Sequence, residues 1–150
     1  MTLRVELQEV SGAAGVPDEA TLQRWLDRCF ADQPEQTVLV RIVTPEESRQ
    51  LNRDYRGKDR PTNVLSFPFE VPTGIPSDHL GDLVICADVV AREAAEQGKA
   101  LPDHWAHMLV HGVLHLLGYD HIDPAEAQEM EAIEVRLLAK LGIPDPYQAV

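Results

Sequence analysis

Cysteine is nearly absent from this chain: Cys29 and Cys86 are the only two. Two lone thiols supply neither a disulfide framework nor a Cys-x-x-Cys metal knuckle. Each lies within an apolar-patterned stretch, where a reduced cysteine behaves as a small buried hydrophobe. Long apolar runs are missing too. No segment approaches the roughly eighteen apolar residues that a membrane-spanning helix needs. The N-terminal stretch from Met1 to Val10 alternates apolar and polar side chains and lacks the basic-then-apolar order of a signal peptide. A cytoplasmic location is expected by elimination. Basic residues are few: 13 Lys and Arg stand against 25 Asp and Glu, a formal charge of −12. Phosphate binding needs cations, so a broad affinity for nucleic acid, DNA included, is not expected.

The shortage of positive charge is uneven. Arg49, Arg53, Arg56, Lys58 and Arg60 fall within twelve positions, opposed there only by Asp54 and Asp59. That stretch carries +3 and the remainder −15. A local basic patch therefore sits on an acidic body.

What is present suits a globular domain. The chain has 150 residues, 44% of them apolar and 25% charged, enough to bury a core without staples. No repeat or linker divides it, and residues 1–150 are expected to form one domain. Leu3, Val5 and Leu7 alternate with polar residues, the period of a half-buried strand. From Pro17 to about Gln33, Leu22, Trp25, Leu26, Cys29 and Phe30 recur at helical spacing. Thr37 to Val43 is β-branched enough for a central strand. Thr44-Pro45-Glu46-Glu47 and Asp123-Pro124-Ala125-Glu126 each join a capping residue, a first-turn proline and a Glu three on, opening helices that run to about Gly57 and Leu141. Asn63 to Phe69 reads as an edge strand because Pro68 interrupts it. A loop from Val71 to Ser77 leads to a strand from Leu80 to Cys86. Asp88 is expected to cap a helix ending at Gly98, and a longer one spans Pro102 to Leu117. The expected class is α+β: a small mixed β-sheet of about four strands covered by about five helices.

The chemistry concentrates on the helix from Pro102 to Leu117. At about 100° per residue, His104, His107, His111 and His115 fall within roughly 80° of one another. Trp105, Leu109, Val113 and Leu116 occupy the opposite side. Histidines placed there face away from the apolar stripe. His111 and His115, four apart, can converge on one ion. Gly118 can take the left-handed conformation that ends the helix and turns the chain back, returning His121 beneath them. The spacing H-x3-H-x2-G-x2-H equals the ligand spacing of the metzincin peptidases, H-E-x-x-H-x-x-G-x-x-H, so a metzincin-like zinc helix is expected. The peptidase base is missing: its position is Gly112. Three ligands leave a fourth place for water, the mark of a catalytic zinc site. One Zn²⁺ per chain is expected from all-histidine ligation, although nickel, copper or iron could occupy such a site in vitro. His104 and His107 share the ligand face farther up the helix, where contact with solvent or substrate is expected. His79 falls in a loop and suggests nothing.

His111-Gly112-Val113-Leu114-His115-Leu116-Leu117-Gly118-Tyr119-Asp120-His121 resembles the signature of the YbeY family of bacterial metal-dependent endoribonucleases. Tyr55 to Pro68, which reads YRGKDRPTNVLSFP, is similar to that family's second hallmark, and Gly81 to Ile85 fits a third. The resemblance implies a zinc-dependent endoribonuclease specific for single strands, active in 3′-end maturation of small-subunit ribosomal RNA and in ribosome quality control. It implies that His111, His115 and His121 are the metal ligands, with His111 part of the catalytic machinery, and that Arg56 is a functional arginine. Arg56 could then stabilise charge developing on a bound phosphodiester. Arg53, Lys58 and Arg60 become candidate substrate-binding residues. Asp120 could orient a ligand or cap a turn. Ser66 could line the cleft or be structural. The acidic body implies that the small ribosomal subunit or a ribosomal protein helps to position the RNA. Two rival functions remain: a zinc metallopeptidase-like hydrolase, which Gly112 disfavours, and a ribosome-associated module whose zinc is structural, which an open coordination position disfavours.

Overall fold

The computed structural model describes residues 3–69, 78–120 and 122–147. The loop expected at Val71 to Ser77 lies outside them. In chain order the elements are β1 (Leu3–Glu9), α1 (Glu19–Cys29), β2 (Gln36–Val43), α2 (Pro45–Arg56), β3 (Val64–Pro68), β4 (His79–Cys86), α3 (Ala87–Gln97), α4 (Leu101–Leu116) and α5 (Pro124–Ala139). The strands lie in the order β1-β2-β4-β3. β1, β2 and β4 run parallel, and β3 closes one edge antiparallel to β4. This is the small mixed sheet with helices that the hydrophobic periods call for. The central strand β2 is the β-branched run. The edge strand β3 ends at Pro68, which has no amide hydrogen to give a further neighbour.

Alternation along the strands divides the apolar residues between two faces. Val5, Val38, Val40, Ile42, Leu83 and Ile85 point to one side and form the main core with Leu22 and Leu26 of α1 and Trp105, Leu109 and Val113 of α4. Met130, Leu137 and Leu138 of α5 pack behind α4 in the same core. Val43, Leu65, Val84 and Cys86 point to the other side, where a smaller cluster meets Val89, Leu51 and Phe67. Cys29 and Cys86 are both buried. Burial pushes the Cys29 thiol up to about 11, so it remains an unreactive thiol at neutral pH.

The two caps that precede prolines form, while two other capping signals are not used. Thr44 and Asp123 accept the amide hydrogens of Glu47 and Glu126. The Glu47 carboxylate does not turn back on its own helix; Arg41 of β2 holds it at 2.6 and 3.0 Å. The expected cap by Asp88 is not used. β4 runs into α3 with Cys86 at the N-cap and no side-chain cap bond, leaving Asp88 in the first turn, where its charge faces the positive helix end. His79 is the first residue of β4 rather than part of a loop.

Candidate metal centre

Helix α4 lies against the sheet through two glycines. A Cβ at Gly112 would stand 2.8 Å from Leu83 Cδ2 and 3.3 Å from Val64 Cγ2. A Cβ at Gly81 would stand 2.6 Å from Leu116 Cδ2. Position 112, where the peptidase pattern has its general base, is thus pressed into the helix–sheet seam. No side chain from it could reach a substrate. Past Leu116 the helix closes with two bonds, Gly118 N–H to the His115 carbonyl (3.1 Å) and Tyr119 N–H to the Leu114 carbonyl (3.0 Å). Gly118 takes φ +102, which the double closure requires and L side chains avoid.

His111 and His115 emerge one turn apart, half-buried, with their Nε2 atoms 3.2 Å from each other. Two ligands at 2.0–2.1 Å from one tetrahedral ion lie about 3.3–3.4 Å apart, so the pair fits two corners of a zinc site. Without an ion the same distance serves a hydrogen bond between the rings. The His111 ring is oriented from behind: its Nδ1–H donates to Glu134 Oε1 at 2.8 Å. Glu134 comes from α5 and is fully buried. Burial raises its pKa, but hydrogen bonds from His107, His111 and Tyr147 outweigh that and hold the carboxyl down at about 2. An ionised carboxylate only accepts, so the proton of this bond belongs to His111 Nδ1 and Nε2 presents its lone pair to the cleft. Among the described residues no group of three or more His, Cys, Asp and Glu side chains could hold a metal ion. His121, the expected third ligand, lies outside the described residues.

Arg56 and these rings line one cleft of about 740 Å³, together with Tyr55, Asn63, Ser66 and Asp120. Arg56 is the last residue of α2, whose C-cap Gly57 has φ +70. The chain beyond is tied back onto the helix. Ser48 Oγ donates to the Thr62 carbonyl (3.1 Å) and accepts the Thr62 amide hydrogen (3.0 Å), and Asn52 Nδ2 donates to the Arg60 carbonyl (2.9 Å). These two buried polar residues fix where α2 ends relative to β3, and hence where Arg56 stands. Ser66 fills both roles open to it: it lines the cleft and donates to the Gly112 carbonyl at 3.2 Å.

Other expected residues fall elsewhere. Arg53, Lys58 and Arg60 are exposed and are not among the residues lining the cleft. Arg53 lies 3.4 Å from Asp54, and Arg49 makes two bonds to Asp59 at 2.7 and 3.0 Å, so part of the basic stretch is neutralised locally. Asp120 is exposed on the cleft rim. His104 and His107 correct the helical-wheel expectation. They are 2% and 6% exposed, bonded through Nε2 to Glu93 of α3 (3.0 Å) and to Glu134 (2.7 Å). A wheel shows which residues share a face but not what covers it, and here α3, α5 and the segment after α5 cover it. Nothing in the local sequence pattern marks Tyr147 as functional, and little marks Glu134. The one available signal was the apolar company of Glu134, between Ile133 and Val135 and three residues before Leu137.

The family model described as Endoribonuclease YbeY matches residues 12–142. A relative named Endoribonuclease YbeY, from Halorhodospira halophila, is 61% identical over 150 residues and covers 97% of each chain. The solution structure of TM1509 from Thermotoga maritima superposes with a TM-score of 0.64 at 26% identity, over 91% of this chain and 89% of that one. With its histidine block and its arginine block meeting at one cleft, the chain belongs to the YbeY endoribonuclease family.

Proposed function

We propose that the chain is a zinc-dependent endoribonuclease that cuts single-stranded RNA, serving 3′-end maturation of small-subunit ribosomal RNA and ribosome quality control. Residues 1–150 act as one domain holding one ion through His111, His115 and His121 in a metzincin-like arrangement. The observation that carries this reading is the 3.2 Å approach of the His111 and His115 Nε2 atoms in a cleft that Arg56 also lines. When bound, zinc supplies Lewis-acid chemistry, drawing charge from a phosphoryl oxygen and acidifying water. The protein does the rest. Arg56 donates paired N–H bonds to the scissile phosphate and stabilises the negative charge that grows on its non-bridging oxygens. Asp120 orients a ligand imidazole from the rim. Arg53, Lys58 and Arg60 meet flanking phosphates in solvent.

The preference for single strands has a physical basis at the mouth of the cleft. Tyr55 is 68% exposed and rests edge-on against Phe67 with ring centroids 5.0 Å apart. Tyr119 is exposed on the rim as well. Unstacked bases can lie on such rings for about 1–3 kcal/mol each, whereas bases stacked inside a duplex cannot. At −12 overall the chain repels RNA away from this mouth, so the small ribosomal subunit or a ribosomal protein delivers the strand.

The test is cleavage of a single-stranded ribosomal RNA fragment, its duplex form and a DNA of the same sequence. Each is assayed before chelation, after chelation and after zinc re-addition. Cutting of the single-stranded RNA alone, lost and regained with zinc, is expected. Arg56→Ala should lower the rate by about 10²–10³-fold at normal zinc content. Full activity after chelation, or in Arg56→Ala, overturns the reading.

A further inference from the structure

Helix α5 carries Glu126, Glu129, Glu131 and Glu134, and only the last is fully buried. An ionised carboxylate held away from water costs several kcal/mol unless its lone pairs are filled. Here three donors fill them: His111 Nδ1 at 2.8 Å on Oε1, with His107 Nε2 at 2.7 Å and Tyr147 Oη at 2.5 Å on Oε2. Tyr147 lies beyond α5, and its phenol is pushed far above the ordinary range, first by burial and then by its bond to Glu134, so it stays a donor. The arrangement gives up a bond elsewhere. His107 Nδ1 is buried with no hydrogen-bond partner among the described residues, because the ring is turned to give Nε2 to Glu134. Burial alone accounts for the number of donors; what it does not account for is that one of them is His111, an imidazole lining the cleft.

We propose that Glu134 and Tyr147 are positioning residues for the divalent cation bound by His111. Glu134 holds His111 as the Nδ1–H tautomer with its Nε2 lone pair toward His115. Tyr147 occupies the second carboxylate oxygen and keeps the carboxylate from turning away. The segment after α5 thereby reaches the metal centre through two hydrogen bonds without touching the ion. This rests on the reading above that His111 is a ligand.

The experiment measures zinc affinity by competition with a chromophoric chelator, together with ring-nitrogen NMR shifts of His111 in the zinc-free protein. Glu134→Gln should weaken zinc binding about 10–100-fold and shift His111 away from a pure Nδ1–H tautomer. Tyr147→Phe, which keeps the ring and loses one donor, should move both readouts the same way by less. Glu93→Gln neutralises the carboxylate of a part-buried His–Glu bond on the same helix, at His104, and should leave zinc affinity unchanged. Wild-type affinity and an unchanged His111 tautomer in folded Glu134→Gln overturn the proposal. Should that variant not fold, the same result in Tyr147→Phe overturns it. An affinity loss in Glu93→Gln equal to that in Glu134→Gln also overturns it, by showing a general packing effect. A wild-type protein that takes up no zinc, or His111→Ala that binds it normally, sinks the ligand assignment instead.

Discussion

A methyl group on residue 112 would have to displace Leu83, which is itself fully buried in the sheet. Overpacking of that kind costs about 1–3 kcal/mol, while replacing a helical glycine by alanine returns about 1 kcal/mol of propensity. The clash should prevail, and Gly112→Ala is expected to lower stability by about 1 kcal/mol in chemical denaturation at unchanged m-value. A stabilised variant would show that the seam has slack. In the sequence this glycine registers only as a missing base. Its packing role depends on Leu83 and Val64, distant in the chain, and no local pattern discloses it. Glu134 was hidden for the same reason: among the glutamates of α5 it differs only in its tertiary neighbours.

Elements were far more legible than these contacts. Strand alternation, the β-branched run of β2, the proline that stops β3 and the two Thr/Asp-Pro caps are all local, and local chemistry decided them. The misreading of His104 and His107 marks where that information ends, since their partners stand on α3, α5 and the segment after it. Glu93 ties three elements together, accepting from His104 of α4 at 3.0 Å and from Asn63 at the start of β3 at 3.2 Å. The His104 bond is the main reason its carboxyl sits below the ordinary 4.5. A carboxylate depressed in the folded state adds stability above its unfolded pKa and loses it as pH falls through the folded one. Stability should therefore fall as pH drops below about 4.5, and Glu93→Gln should flatten that decline while being less stable at neutral pH. Urea midpoints measured from pH 3 to 7 read both effects; parallel curves would discount the contribution of the Glu93 carboxylate.

For the whole molecule, the charge of −12 sets the terms on which it meets a polyanion. Binding of a single-stranded RNA through a handful of phosphates should weaken with a log–log salt slope of about −0.7 per contact. Fluorescence anisotropy across a salt series would count those contacts, and Lys58→Ala should reduce the slope by about one contact's worth if Lys58 supplies one. A slope near zero would place recognition in the bases instead. The core beneath α4 has a further consequence. Trp105, Leu109 and Val113 are locked into one continuous apolar mass with α1, α5 and all four strands. This architecture asks nothing of an ion for its cohesion, unlike small domains that fold only around zinc. Stripping the metal should therefore leave a protein with its melting transition intact, dormant rather than denatured, and able to resume work on remetallation without passing through the unfolded state.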